Sequence, residues 1–117
     1  MPALNFKARF ASDVETGRKR QTIRRKRKHP IVPGDMLYLY TGMRTKHCRK
    51  LGESECMDVE PIMIHGTRVF LGGRLLNHDE LWRLATDDGF YGNPQQFLLF
   101  FWEEYGKGIF EGDVIRW

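Results

Sequence analysis

A short polar segment, Gly17–Arg24, brings together residue types that can bind or attack a polar base or a phosphate. Arg24 offers a planar guanidinium for paired hydrogen bonds, Lys19 offers a charge or a base, and Thr22 offers a hydroxyl that can donate, accept or attack. On a regular strand, Thr22 and Arg24 share one face while Lys19 points to the other. The three side chains therefore converge only if the backbone near Lys19 is still turning after Gly17. The alternative is a cationic edge strand without chemistry.

Positive charge is concentrated around this segment. Positions 18 to 28 contain no acidic residue and eight basic ones: Arg18, Lys19, Arg20, Arg24, Arg25, Lys26, Arg27 and Lys28. The whole chain has 19 Lys and Arg against 15 Asp and Glu, a net charge of +4, so the chain without these eight carries −4. An acidic body with one basic patch is typical of proteins that bind nucleic acid, although a solvated loop that aids solubility has the same composition. Arg18 and Arg20 also favour a lowered pKa of Lys19, which a lysine needs in order to act as a base.

A pair of acidic residues, Asp87 and Asp88, precedes Gly89 at the end of a predicted helix. Acidic residues before a glycine often form only a turn or a cap. The functional interpretation is that Asp88 or Asp87 faces the basic segment. There a carboxylate would act as a general acid or base, or would hold Lys19 and Arg24 in position.

One loop and several aromatic residues are further candidates for contact with nucleic acid. The loop Thr41–His47 carries Arg44 and Lys46, which either form a second wall for phosphates or cap a solvated hairpin. The aromatic residues between Phe97 and Trp102 have helical spacing, which predicts core rather than a stacking platform. Weaker candidates for base stacking are Tyr38, Tyr40 and Trp82.

Hydrophobic and turn patterns predict the elements that position these residues. Met36–Thr41 is apolar on both faces, which indicates a strand buried on both sides, as in a small closed barrel. Pro61 indicates a bulge or a sheet edge, and Glu111–Asp113 indicates a turn before the last strand. Two helix starts are marked by capping residues, namely Asn77 with Glu80 and Asn93 with Pro94. The predicted fold is α+β: a small β-barrel of five to six strands with two to three flanking helices.

Length and composition limit the remaining classes. A chain of 117 residues fits one domain, which we assign to residues 1–117. Cys48 and Cys56 are eight positions apart, roughly 26 Å along one strand, which is too far for a disulfide. No cysteine or histidine spacing suggests zinc, and we predict no metal and no cofactor. No signal peptide or spanning segment is evident, so we expect no membrane partner and a reduced, cytoplasmic protein.

With these residues in view, the chain resembles the ASCH domain family, whose barrel is related to the PUA fold. The central part also looks like the small stand-alone members found in phages and prophages. The markers span nearly the whole chain and keep a fairly specific order: Gly17-Arg18-Lys19 leading to Thr22-Ile23-Arg24, Pro33-Gly34-Asp35 before a strand, Asp88-Gly89-Phe90 before a helix at Asn93-Pro94, and the closing strand.

The resemblance implies a cleft that binds RNA or modified nucleosides. A few small members are amidohydrolases that cleave the acetyl amide of acetylcytidine, and some relatives are described as ribonucleases. In the amidohydrolases a lysine, a threonine and a glutamate form the active site, and these fall on Lys19, Thr22 and Asp88. The aspartate is one methylene shorter than the family's glutamate, so either the cleft closes by that distance or hydrolysis is absent.

Three functions remain open at this point. The first is binding of RNA or a modified nucleoside, with DNA as an alternative, in a basic cleft. The second is hydrolysis of an acetylated nucleoside or of RNA through Lys19, Thr22 and Asp88. The third is a phage accessory protein whose basic patch binds an acidic host protein. Nucleic-acid contacts are expected from Arg18, Arg20, Arg24, Arg25, Lys26, Arg27, Lys28, Arg44 and Lys46.

Overall fold

The computed structural model describes residues 2–117, and within that range the chain forms eight strands and three α-helices. In chain order the elements are β1 (Ala3–Phe6), α1 (Ala8–Glu15), β2 (Gln21–Arg25), β3 (Met36–Thr41), β4 (Arg49–Glu55), β5 (Asp58–His65), β6 (Arg68–Leu71), β7 (Arg74–Leu75), α2 (His78–Ala85), a π-helical turn (Thr86–Phe90), α3 (Pro94–Tyr105) and β8 (Phe110–Arg116).

The strands pair into two sheets. One has the order β1-β3-β4, with β1 parallel to β3, and the other has the order β2-β8-β5-β6-β7 and is antiparallel throughout. The α+β class and the three helices agree with the sequence prediction, but there are eight strands rather than five to six. Strand pairing among residues 2–117 leaves two separate sheets, so the expected barrel is not confirmed.

Capping residues start two helices as the sequence predicts. The side chain of Asn77 accepts a hydrogen bond from the backbone N–H of Glu80 at 2.9 Å, and the Glu80 carboxylate accepts one from the backbone N–H of Asn77 at 3.0 Å. Asn93 caps α3 through Gln96, with Pro94 in the first helical turn. These bonds satisfy N–H groups that have no partner inside the helix, and so they fix where α2 and α3 begin.

The turn predicted at Glu111–Asp113 is wrong, because these residues lie inside the continuous strand β8. Gly112 is present for a different reason. A Cβ added there would lie only 2.1 Å from the carbonyl oxygen of Arg24 on the neighbouring strand β2. The glycine therefore allows two backbones to approach closely, a role that glycine has inside sheets as well as in turns.

Strand β3 is also less buried than its sequence suggests. Leu37 and Leu39 are buried, whereas Tyr38 and Tyr40 are half-buried and Met36 is 43% exposed. The apolar residues of the second face therefore point to a partly open surface, and the prediction of burial on both sides is wrong.

Pro61 lies within β5, which is an inner strand of its sheet, between β8 and β6. It pairs with Asp113 of β8, and its carbonyl oxygen accepts a hydrogen bond from Gly72 at 2.9 Å, one residue before pairing of β5 with β6 begins at Ile62. The predicted bulge or edge position is therefore wrong; the proline stands at the end of the β5–β6 ladder, where its missing N–H removes no bond from the paired residues.

Aromatic side chains of α3 form much of the core. Phe97 and Phe101 are buried, and Phe101 packs on Phe110 of β8 with ring centres 5.0 Å apart. The prediction that the aromatic residues between Phe97 and Trp102 form core is confirmed for Phe97 and Phe101 and wrong for Trp102, which is exposed. Phe6 and Trp117 meet edge to face at 5.8 Å and join β1 to the end of β8. No helix within residues 2–117 has the length and hydrophobicity needed to cross a membrane.

Candidate functional site

A cavity of about 290 Å³ lies between β1, α1, β2, the π-helical turn and α3. Its walls combine cations, carboxylates and aromatic rings, a mixture that ordinary core does not have. The lining residues are Asn5, Phe6, Lys7, Phe10, Lys19, Thr22, Ile23, Arg24, Asp88, Phe100, Phe101, Glu104 and Tyr105. The structure thus brings Lys19, Thr22, Arg24 and Asp88 around one space.

Lys19 reaches this cavity because it precedes the strand rather than lying in it. Helix α1 ends near Gly17, whose φ of 81° is a left-handed conformation that glycine adopts easily. The backbone N–H of Lys19 then donates to Asp13 at 2.9 Å, so the chain is still turning before β2 begins at Gln21. This is the geometry that convergence with Thr22 requires.

The ammonium of Lys19 is held inside the protein by Asp88. Lys19 is only 2% exposed and Asp88 only 5%. Nζ of Lys19 donates to the backbone carbonyl of Asp88 at 2.5 Å and lies 3.3 Å from the side-chain Oδ1 of Asp88. The same Nζ is 4.9 Å from the ring centre of Phe10, which adds a cation–π contact.

Asp88 is positioned by the π-helical turn that follows α2. Gly89 within this turn has a φ of 101°, and a Cβ there would come within 3.0 Å of the Phe10 ring. The side-chain amide of Gln21 donates to Oδ1 of Asp88 and to the backbone carbonyl of Leu84, both at 3.3 Å. The neighbouring Asp87 is exposed and lines a separate groove behind the site, so only Asp88 of the acidic pair faces the cavity.

Burial pushes both members of this pair toward their neutral forms. It lowers the pKa of Lys19, and the attraction of Asp88 offsets this only in part. It also raises the pKa of Asp88, against the attraction of Lys19 and the hydrogen bond from Gln21. Desolvation is the largest cause of the pKa shift of each group, because burial removes the water that would stabilise either charge. A lysine with a lowered pKa loses its proton at a lower pH than a lysine on the surface.

Thr22 and Arg24 form a second linked pair on the cavity wall. Nε of Arg24 donates to Oγ1 of Thr22 at 3.0 Å, and its terminal nitrogen donates to the backbone carbonyl of Asn5 at 2.7 Å. The guanidinium also lies 5.1 Å from the ring centre of Phe6. Because Oγ1 of Thr22 accepts this hydrogen bond from Arg24, its own O–H is free to donate a hydrogen bond to another group.

The other cations of the basic run are divided among several surfaces. Two are bound to backbone or aromatic groups: Arg20 donates to the carbonyl of Trp117 at 3.1 Å, and Arg25 lies 4.7 Å from the ring centre of Tyr105. Two are near acids, since Nζ of Lys26 is 2.5 Å from Asp113 and Arg18 is 3.9 Å from Asp13. Arg27 and Lys28 are exposed and have no ion pair within residues 2–117.

The loop that carries Arg44 and Lys46 lies beside the cavity. The backbone N–H of Met43 donates to the side chain of Asn5 at 3.0 Å, and Asn5 in turn contacts Arg24 through its backbone carbonyl. Both cations of the loop are exposed. The structure therefore places them near one rim of the cavity, while their role as phosphate contacts stays a prediction.

Two lining residues and one residue behind the cavity were missed by the sequence reasoning. Lys7 and Glu104 form an ion pair of 2.8 Å at the cavity, and Gln21 orients Asp88. A signal for Glu104 existed: it lies seven residues after Phe97, so a carboxylate continues the apolar stripe of α3. No comparable signal marks Lys7, because its partner is on a distant helix.

No group of three His, Cys, Asp or Glu side chains suited to a metal occurs within residues 2–117. The two thiols are free, with Cys48 exposed and Cys56 buried. Comparison with known protein families, with curated proteins and with solved structures gave no match for this chain.

Proposed function

We propose that the protein binds RNA, holding one unpaired base or nucleotide in the cavity and the adjoining phosphates on the exposed cations around it. The observation that carries this proposal is the pair of cationic side chains, Lys19 and Arg24, that line one polar and aromatic cavity. We include in the proposal the ASCH assignment with its PUA-like barrel, into which the two sheets would be grouped. A cytoplasmic location is also proposed, and the exposed free thiol of Cys48 favours a reducing compartment.

The size and donors of the cavity favour a single nucleotide unit. A volume of about 290 Å³ is at the lower end for sites that bind small molecules. Lys19, Arg24 and Thr22 supply hydrogen-bond donors, which suit the carbonyl and ring-nitrogen acceptors of a base or the oxygens of a phosphate. Rings such as Phe100 and Tyr105 border the same space. A base can enter only when it is unstacked, so single-stranded RNA is a better ligand than a duplex.

The exposed cations favour a polynucleotide over a free nucleoside. Arg27 and Lys28 follow β2, and Arg44 and Lys46 lie on the loop anchored to Asn5. Four such charges are more than one nucleoside can engage. They would bind the phosphates on either side of the base in the cavity.

Fluorescence anisotropy with a labelled single-stranded RNA tests this proposal. If four to six phosphates are engaged, the logarithm of affinity should fall with the logarithm of salt concentration with a slope of about −3 to −4. Arg24→Ala should weaken binding strongly, while Arg68→Ala, an exposed arginine on β6, serves as the matched control. Binding that is independent of salt, or insensitive to Arg24, would contradict the proposal.

Hydrolysis is a second candidate, favoured by the burial of Lys19 and its lowered pKa beside the cavity that Thr22 lines. In this mechanism a neutral Lys19 accepts the hydroxyl proton of Thr22, whose oxygen attacks the acyl carbon of an acetylated base. The amide bond breaks, the amine leaves with a proton, and water later cleaves the ester on Thr22 to release acetate. The hydrogen bond from Arg24 stabilises the developing alkoxide, and Asp88 stabilises the lysine when it is charged.

Incubation with acetylcytidine and with RNA, followed by mass spectrometry, tests the second candidate. The expected result is a product from one of them that disappears in both Lys19→Met and Thr22→Val, with Lys107→Met, which changes an exposed lysine away from the cavity, as the control. Absence of any product from the wild-type protein would leave binding alone. Turnover that persists in Thr22→Val would refute the proposed nucleophile.

A further inference from the structure

A second hollow, of about 610 Å³, is lined mainly by the segment that joins β2 to β3, together with Pro2 and the first half of β3. Its lining includes the cationic or titratable side chains of Arg27 and His29 and the apolar surfaces of Met36 and Tyr38. We call this hollow the β3 groove. It is larger than the cavity and more open to solvent.

Positive charge at the β3 groove comes from Arg27, with Lys28 next to it in the chain, and His29 adds a ring nitrogen that can donate a hydrogen bond. Arg27 and His29 are exposed, as is the adjacent Lys28, and none of them has an ion pair within residues 2–117. The groove has one acid, Asp35. Its Oδ2 accepts a hydrogen bond from the backbone N–H of Val32 at 3.0 Å, so this carboxylate is part of the local turn.

The groove also offers a ring on which a base can stack. Tyr38 points outward from β3 and is half-buried, and Met36 on the same face is exposed. Nζ of Lys50 lies 5.6 Å from the ring centre of Tyr38, which places a further positive charge beside the ring. Aromatic rings next to cations are the usual means by which proteins bind unpaired bases without reading their sequence.

Strand β1 connects the groove to the cavity. Pro2 lines the groove and accepts a hydrogen bond from the backbone N–H of Tyr38 at 3.0 Å, and Asn5 lines the cavity. Asn5 is three positions after Pro2 along extended chain, a distance of about 10 Å. Burial is the main cause of the lowered pKa of Arg24, and the charge of Arg27 is near enough to add to it. A short length of unstacked strand can therefore occupy both spaces at once.

We propose that the β3 groove is a second nucleotide subsite, in which a base stacks on Tyr38 while Arg27 and His29 hold the neighbouring phosphates of the same RNA strand. This inference rests on the proposed function and extends it, because it makes a single strand of several nucleotides, rather than a free nucleoside, the preferred ligand. Sequence preference at the groove is weak, since stacking accepts any base.

The test compares a labelled RNA of about 12 nucleotides with a nucleoside monophosphate that competes for the cavity. Tyr38→Ala should weaken binding of the oligonucleotide about 5- to 150-fold and leave the affinity of the monophosphate unchanged. Tyr38→Phe keeps the ring and should bind as the wild type does. Arg27→Ala should weaken the oligonucleotide and reduce its salt slope by about 0.7, whereas Arg68→Ala should do neither.

The outcomes separate the groove from the cavity. If the wild type binds RNA but Tyr38→Ala and Arg27→Ala bind the oligonucleotide normally, the groove is not a subsite, and the proposed function stands. If Tyr38→Ala weakens both ligands equally, the ring acts on the fold or the cavity, and the inference is overturned. If polyglutamate competes with the RNA at equal charge, the groove binds acidic chains in general and the inference of a nucleotide subsite is overturned. If the wild type binds no RNA, both proposals fall together.

Discussion

The buried pair of Lys19 and Asp88 predicts opposite effects of pH in two single variants. Asp88→Asn leaves the ammonium of Lys19 without its carboxylate, and Lys19→Met leaves the carboxylate without its ammonium. Nζ of Lys19 lies 3.3 Å from Oδ1 of Asp88, and both side chains are almost fully buried. Removal of one partner from such a pair usually lowers the free energy of unfolding by about 3–5 kcal/mol, because the other charge stays buried and uncompensated.

The loss in free energy of unfolding has an upper limit, since a buried group left without its partner can become neutral. At neutral pH, deprotonation of a lysine with an ordinary pKa of 10.5 costs about 5 kcal/mol. Protonation of a carboxyl with an ordinary pKa of 3.8 costs about 4 kcal/mol under the same conditions. Both limits fall within the range expected for a broken pair, so the two variants should be destabilised to similar extents near pH 7.

The two variants differ in sign when pH changes. In Asp88→Asn, burial lowers the pKa of Lys19 in the folded state, so the unfolded chain holds more protons and stability rises with pH up to the ordinary value of 10.5. In Lys19→Met, burial raises the pKa of Asp88, so the folded chain holds more protons and stability falls as pH rises above 3.8. Neither slope can exceed about 1.4 kcal/mol per pH unit. Arg24 and Asp13, the other charges acting on Lys19, are the same in both variants.

Urea unfolding at about pH 5, 7 and 9, followed by tryptophan fluorescence, measures these slopes. Lys46→Met, which removes an exposed lysine, is the control and should follow the wild type. The double variant Lys19→Met with Asp88→Asn should recover much of the loss, with a coupling energy of about 3 kcal/mol. Slopes of the same sign in the two single variants, or additive losses in the double variant, would refute the reasoning.

Three smaller predictions concern the framework of the site. Asn77→Ala removes the capping box of α2 and should lower the free energy of unfolding by about 1 kcal/mol in denaturant titration. Gly112→Ala forces a methyl group against the backbone of Arg24 and should cost about 3 kcal/mol or more, measured in the same way; a neutral result would contradict the close approach. Cys48 should react with a thiol reagent at once and Cys56 only upon unfolding, because Cys56 is buried and burial raises the pKa of its thiol. Equal rates for the two would count against this burial.

Local signals in the sequence were reliable where the physics is local. The pairing of Asn77 with Glu80 and of Asn93 with Pro94 predicted two helix starts correctly, because a cap involves only three or four consecutive residues. The condition for convergence of Lys19 with Thr22 followed from strand geometry in the same way.

Errors arose where a distant segment decides the outcome. Glu111-Gly112-Asp113 has the composition of a turn, yet these residues lie in β8. Position 112 is a glycine because the backbone of Arg24 leaves no room for a side chain. The open face of β3 depends on which elements cover Tyr38, and the ion pair of Lys7 with Glu104 depends on how the start of α1 meets α3. In each case the partner lies outside any short window of sequence.

The π-helical turn makes the register of the chain itself part of the site. The chain continues the helical path of α2 up to Asp88 and leaves it at Gly89, whose φ is 101°. Deletion of Asp87 would move Asp88 back by one position and rotate its side chain by about 100° about the helix axis. The carboxylate now facing Lys19 would then take the exposed position that Asp87 occupies. Deletion of this one residue would thus remove the carboxylate from the cavity, although every residue that lines the cavity is still present in the chain.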